Sequence, residues 1–351
     1  PNVRLKTAPT NLADIAQPMN LSSNSDESVE NSPHPSEEVS CTRCGADGSQ
    51  LLVALEDYLY KIPGHFAMRR CGQCGLIFLS PRPTPESLAA YYPDSYAPYR
   101  RAIQDEPNAL MRWMRRRNIR QRSRLVERFA ARSPGRLLDL GASTGIFMDD
   151  IRSLGWQVTG VELNENAAAY ARERLGLEVI CAELSQAQLP ANHFDAITLW
   201  DVIEHTFDPA QILAEVWTQL AEGGIIALTI PSWESLDRRL FGPYWVGYDA
   251  PRHLHVFPRP VIEEMLQEAG FAVEANRTTF GGYFTFVTSL RTWLRARMPA
   301  GGLLTGIEKV IDLHGIRFLF EPFFALMDWL GWGGARVVVA RKTSGAKISG
   351  A

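Results

Sequence analysis

An apolar stretch, Leu137-Leu138-Asp139-Leu140, runs into a turn bearing two glycines, Gly141-Ala142-Ser143-Thr144-Gly145, and then directly into the helix-like Ile146-Phe147-Met148. A chain that must pass from strand to helix through so short a glycine turn suits a doubly wound α/β sheet. There the backbone at the carboxyl end of the first strand approaches a ligand closely. A dinucleotide fingerprint starting at Gly141 requires glycines at 143 and 146, where Ser143 and Ile146 stand, so NAD and FAD are disfavoured. No Gly-Lys-Ser/Thr follows, which excludes a P-loop.

From Pro134 onward, short apolar runs alternate with amphipathic segments of about ten residues, the pattern of βαβ units. Strands are predicted over 136–140, 157–162, 178–181, 195–200 and 225–230, with helices over 146–154, 165–175 and 209–220. A further helix over 260–269, a strand over 271–280 and a last strand over 335–340 complete the pattern. The fold expected is α/β, a doubly wound, mostly parallel, seven-stranded Rossmann-like sheet, with a helical insertion over 281–334. That long excursion permits the last strand to enter antiparallel.

The remainder of the chain divides by composition. Residues 1–38 are rich in Ser, Asn, Pro and acidic groups and hold too little apolar surface to order themselves, so a disordered leader is expected. Residues 39–80 form an expected zinc-binding module, 81–133 a linker with an Arg-rich helix, 134–342 the ligand-binding domain and 343–351 a tail. In the module, Cys41-x2-Cys44-Gly45 and Cys71-x2-Cys74-Gly75 are two knuckles around a hairpin-like segment. Four thiolates at this spacing fit structural Zn2+, and disulfides are the competing reading. Cys181, unpaired, reads as a small core residue. A formal charge of −3 argues against a dedicated nucleic-acid binder. With no run of 18 apolar residues and no signal-like apolar core in residues 1–20, a cytoplasmic protein is expected. Because the chain begins at Pro1, an initiator methionine or longer leader is expected ahead of it.

The spacing Asp139-x-Gly141-x-x-x-Gly145, followed by Val161-Glu162-Leu163-Asn164, resembles the class I S-adenosylmethionine-dependent methyltransferases over about 134–342. The resemblance implies that Gly141, Ala142, Ser143 and Gly145 lie beside the methionyl part of the cofactor and that Glu162 accepts from the ribose hydroxyls, with Asp139 and Leu163 in the same site. It places Ala182 and Glu183 at the adenine. It also places Thr198-Leu199-Trp200-Asp201-Val202-Ile203-Glu204-His205 over the cofactor toward the transferred methyl, with Trp200 on the cofactor side. Ser143 departs from the commoner glycine. A surface carboxylate is the plain alternative for Glu183, and a helix-capping histidine for His205.

After the fifth strand, Tyr244-Trp245 and Asp249-Ala250-Pro251-Arg252-His253-Leu254-His255 sit where open α/β sheets bind ligands. The segment looks like the acceptor loop of small-molecule members of the family. Tyr244, Trp245 and Asp249 are the expected substrate contacts, and His253, His255 and His205 the candidate bases, with Asp201 in reserve and Arg252 holding an anionic group. If the segment is extended, His253 and His255 point to one side; a histidine pair bonded to its own loop is the alternative.

Two further stretches stand out. Twelve arginines lie between Arg100 and Arg136, and residues 318–332 contain Phe318, Phe320, Phe323, Phe324, Trp329 and Trp332. A solvated helix and a buried helix bundle are the plain readings. Contact with anionic lipid, a diphosphate-bearing substrate or RNA, a dimer face, and an interfacial anchor are the sharper ones. The function expected is methyl transfer from S-adenosylmethionine to a small-molecule, sugar or lipid-like biosynthetic intermediate at oxygen. Its rivals are an RNA methyltransferase and a non-catalytic zinc-bearing binding protein.

Overall fold

The computed structural model describes residues 33–93, 109–279, 282–311 and 314–343. Residues 1–32 of the expected leader, 94–108 of the expected linker and 344–351 of the expected tail lie outside the described residues. Among the described residues, regular structure begins ahead of the expected boundary at 39: β1 (Ser36–Glu37) pairs antiparallel with β5 (Arg82–Pro83).

Between them lie β2 (Ser49–Leu55), β3 (Phe66–Cys71) and β4 (Ile77–Leu79), an antiparallel meander. The helix α1 (Ala109–Phe129) leads to the main sheet. There β6 (Arg136–Leu140), α2 (Ile146–Arg152), β7 (Gln157–Glu162), α3 (Glu165–Leu175), β8 (Glu178–Cys181), β9 (Phe194–Trp200), α4 (Pro209–Gln219) and β10 (Leu220–Pro231) follow the expected pattern, with a short turn at 184–186 in place of a helix between β8 and β9. The helix starts are written in the sequence. Asn164 accepts from the Ala167 amide (3.0 Å), and Asp208, with Pro209 behind it, accepts from the Gln211 amide (2.9 Å). After β10 come α5 (Leu236–Phe241), β11 (His255–Val256), α6 (Arg259–Glu268), β12 (Phe271–Thr278), α7 (Gly282–Arg297), α8 (Gly302–Ile311), α9 (His314–Trp329) and β13 (Ala335–Lys342).

The seven-stranded sheet runs β12-β13-β10-β9-β6-β7-β8. Strands β10 to β8 are parallel, and β13 enters antiparallel between β10 and β12. The order reverses between β6 and β9, which opens a crevice at their carboxyl ends. Leu138, Ile197, Leu199, Ile226 and Leu228, all fully buried, form the sheet's share of the core.

Two expectations change here. The cysteine module is not a separate unit: β11, from the loop after β10, adds to the edge of β4 through His255↔Phe78 and Val256↔Ile77. Cys41, Cys71, Leu76 and Phe78 share one core with Val261 and Ile262 of α6, so apolar residues too few to form a core alone are buried against the larger domain. The insertion is helical as expected but not a buried bundle. Leu319 and Trp329 of α9 are 75% and 80% exposed, along with Phe320, Phe323, Leu326 and Leu330.

Candidate active site

At the end of β6 the amides of Gly141 and Ala142 donate to the Val161 carbonyl (2.8 and 3.1 Å), folding the glycine turn over the end of β7. Gly141 has φ +71, and a Cβ there would stand 2.5 Å from Val202 Cγ2, so the turns after the first and fourth parallel strands touch at the switch point. Ser143, the departure from glycine, takes φ +49, and its amide donates to Glu162 Oε2 at 2.7 Å. Glu162 Oε1 accepts from the Asn164 amide at 2.8 Å. Burial raises the pKa of this carboxyl, while the Asn164 and Ser143 amides oppose the rise. Leu163 beside it is 69% exposed. Ala182 and the exposed Glu183 follow at the end of β8, before a short turn at 184–186.

Asp139 sits deeper than expected. It is 2% exposed, accepts from the Thr198 hydroxyl at 2.6 Å, and burial pushes its carboxyl up to about 7. It braces two adjacent strands beneath the loop rather than facing a ligand. The Trp200 ring is buried against Phe147 (centroids 5.2 Å), with the Arg122 guanidinium 5.0 Å above it. Asp201, half exposed, accepts from Arg122 (3.0 Å) and from the Thr229 hydroxyl (2.8 Å).

The expected acceptor residues divide. His205 and His253 meet edge to face with centroids 4.6 Å apart. Nδ1 of His205 lies 3.0 Å from the Arg252 carbonyl and 3.0 Å from the Tyr92 hydroxyl, and Nδ1 of His253 lies 2.9 Å from the Gly247 carbonyl. Burial, then the neighbouring His253, brings His205 down to about 3, and burial lowers His253 too. Both rings are therefore neutral near pH 7.

His255 does not join them. The chain is a turn through Asp249–His253 and extended only at His255–Val256, so the two rings do not share a side. The fully buried His255 turns toward the cysteine module, its Nε2 2.8 Å from Thr42 Oγ1 and its ring stacked on Phe257. Burial, then the charge of Arg82, lowers it to about 3. Arg252 is not open to a substrate anion. Its fully buried guanidinium makes paired bonds to Asp57 (2.8 and 2.9 Å) and donates twice to Asp249 Oδ1 (2.6 and 3.0 Å). Asp249 is thereby taken up by Arg252, and Trp245, 1% exposed, packs on Tyr248 in the core. Both lose the expected substrate role. Tyr244 remains partly exposed, 5.0 Å from the ring of Tyr58.

Sequence reasoning missed Asp57, Tyr92 and Arg122, which reach the site from elements far away in the chain. It also passed over Glu204. The only sequence signal for Glu204 was a second acidic residue in Asp201-x-x-Glu204-His205.

The four cysteines converge. Their sulfurs all lie within 4.8 Å of one another, with Cys41···Cys74 at 3.4 Å and Cys44···Cys71 at 3.5 Å. Each close pair joins one knuckle to the other, the arrangement a tetrahedral thiolate site needs. Arg43 in the first knuckle is clamped to Glu264 and Glu268 of α6 (3.1 and 2.6 Å).

Residues 110–276 match a family model described as a methyltransferase domain. Over that stretch, just under half of its length, the chain is similar to methyltransferases. Among its relatives, a probable S-adenosylmethionine-dependent methyltransferase of Mycolicibacterium smegmatis is 29% identical over 175 residues, 48% of this chain and 63% of that protein. A ubiquinone biosynthesis O-methyltransferase of Stutzerimonas stutzeri is 28% identical over 152 residues, 40% of this chain and 65% of that protein. A demethylmenaquinone methyltransferase of Thermus thermophilus is 28% identical over 193 residues, 47% and 86%. The chain thus spans less than two thirds of the length of the first two. The matched residues take in the glycine turn, Glu162 and the His205–His253 pair. The cysteine module and the insertion helices lie outside the matched residues.

Proposed function

We propose that this protein transfers a methyl group from S-adenosylmethionine to an oxygen of a small, ring-bearing or lipid-like intermediate. The observation that carries this reading is Glu162. Its buried carboxylate, each oxygen already fixed by one backbone amide, keeps acceptor capacity for a diol at the end of β7, beside the exposed Leu163. When bound, S-adenosylmethionine would supply an electrophilic methyl on a sulfonium. The chain's part is to hold the ribose at Glu162, the flat base over Leu163 near Glu183, and the acceptor in line. On the acceptor side, neutral His205 and His253 are the groups that could draw a proton from a hydroxyl.

The quinone-related names of two relatives support a ring-bearing acceptor. The four-thiolate cluster supports a structural Zn2+ held by Cys41, Cys44, Cys71 and Cys74. No helix among the described residues is long and apolar enough to cross a membrane. The exposed apolar stripe of α9 stands beside the arginine-rich α1, joined to it by Arg117–Glu321, and this supports peripheral contact with anionic lipid from the cytoplasmic side. Calorimetry with S-adenosylmethionine tests the core of the proposal, and purified protein that shows no binding would overturn it.

A further inference from the structure

Glu204 lies at the carboxyl end of β9, its side chain fully buried, and neither carboxylate oxygen meets a hydrogen-bond partner among the described residues. A carboxylate in that condition is stable only with a counter-charge or a proton. Its neighbours are the two histidines. Each has Nδ1 against a backbone carbonyl, that of Arg252 for His205 and that of Gly247 for His253. A neutral imidazole that donates from Nδ1 keeps its electron pair on Nε2, and fixing one ring nitrogen in this way is how proteins orient histidines that ligate metals. One ligand atom from each of Glu204, His205 and His253 lies within 4.8 Å of the others.

We propose that Glu204, His205 and His253 bind a divalent transition-metal ion on the acceptor side of the crevice. Two imidazoles and one carboxylate suit zinc, manganese, iron or cobalt better than magnesium or calcium, which prefer oxygen ligands throughout. Three protein ligands leave coordination positions open for water or for one or two oxygens of the acceptor. An acceptor hydroxyl so bound loses its proton to solvent more readily. The histidines then act as ligands, with the ion doing what a histidine base would otherwise do. This deepens the reading of the acceptor site given above and rests on it only for the identity of the bound oxygen compound.

The probe is Co2+, added to full-length protein stripped of metal with a chelator. Two ions per chain are expected. The first carries the intense thiolate charge-transfer bands of the four-cysteine site. The second shows only d–d absorption. Glu204→Gln, which preserves shape and removes the charge, and His253→Ala should each weaken the second ion by more than the roughly 10–100-fold that loss of an outer partner costs, leaving the first in place. Cys44→Ser should do the reverse. A wild-type spectrum with thiolate bands alone overturns the proposal without any variant, as does an equal second-ion affinity in wild type and Glu204→Gln. Binding of S-adenosylmethionine by protein that takes no second ion would defeat this inference alone. A second ion in protein that does not bind S-adenosylmethionine would defeat the methyltransferase reading alone.

Discussion

Replacing Arg252 with Met should cost this protein much of its stability. The guanidinium has no solvent exposure, and its partners Asp57 and Asp249 have side chains 0% and 8% exposed. The substitution leaves two buried carboxylates without their cation and also frees the Tyr91 carbonyl that Nη1 holds at 3.1 Å. Breaking a buried ion pair from one side costs about 3–5 kcal/mol. For a domain of this size, each kcal/mol moves the melting temperature by about 2–4 °C, so a fall of roughly 6–20 °C is expected. Thermal unfolding followed by circular dichroism measures it. The pH dependence carries a second signature. Burial, the largest single influence, would raise Asp249, but the charge and hydrogen bond of Arg252, together with smaller contributions from His253 and His205, outweigh it and the carboxyl ends below its usual range. Its contribution is therefore complete above the unfolded value near ~3.9 and disappears as pH falls through the lowered folded value, and Arg252→Met should abolish that part of the acid curve. A melting temperature within about 2 °C of wild type, with a raised KM for the acceptor, would refute this reasoning and return Arg252 to the substrate.

Three other outcomes are expected. Glu162→Ala should weaken S-adenosylmethionine binding by ~1.5–3 kcal/mol, roughly 10–150-fold by calorimetry, since a charge-assisted acceptor is lost. Unchanged affinity would mean another carboxylate serves the ribose. Elemental analysis after Cys44→Ser should show a lost zinc, and hydrogen exchange should rise at both β4 and β11, because the two pair directly. Exchange confined to residues 39–80 would contradict the shared sheet. Co-sedimentation with anionic vesicles should fall when the 80% exposed Trp329 is changed to Ala and fall further in high salt, while neutral vesicles should bind weakly in either case.

The parallel half of the sheet was legible because its signals are local. Asp139 to Gly145 need only neighbouring residues to specify strand, turn and helix, and Asn164 and Asp208 mark helix starts in the same way. The cysteine spacing was legible for the same reason. The acceptor loop was not. Arg252, His253 and His255 look alike as polar residues on one loop, yet one pairs with Asp57, one meets His205 and one turns to Thr42. Their partners come from other elements, and burial decides which of them can reach a ligand. Asp139 shows the same limit: its place in the motif suggested contact, but one level of depth below the loop made it a brace for Thr198.

The pairing of β11 with β4 also bears on how the protein is made. Phe78 leaves the ribosome early, while its partner His255 emerges only after the whole parallel sheet. At ordinary rates of synthesis that interval is on the order of ten to thirty seconds, during which the meander presents an unpaired edge and the four thiols lack the strand that closes their sheet. A nascent chain of this kind would depend on early metal capture, or on a chaperone at that edge, until the segment carrying His255 arrives. Truncation before residue 255 would leave the edge of β4 open permanently.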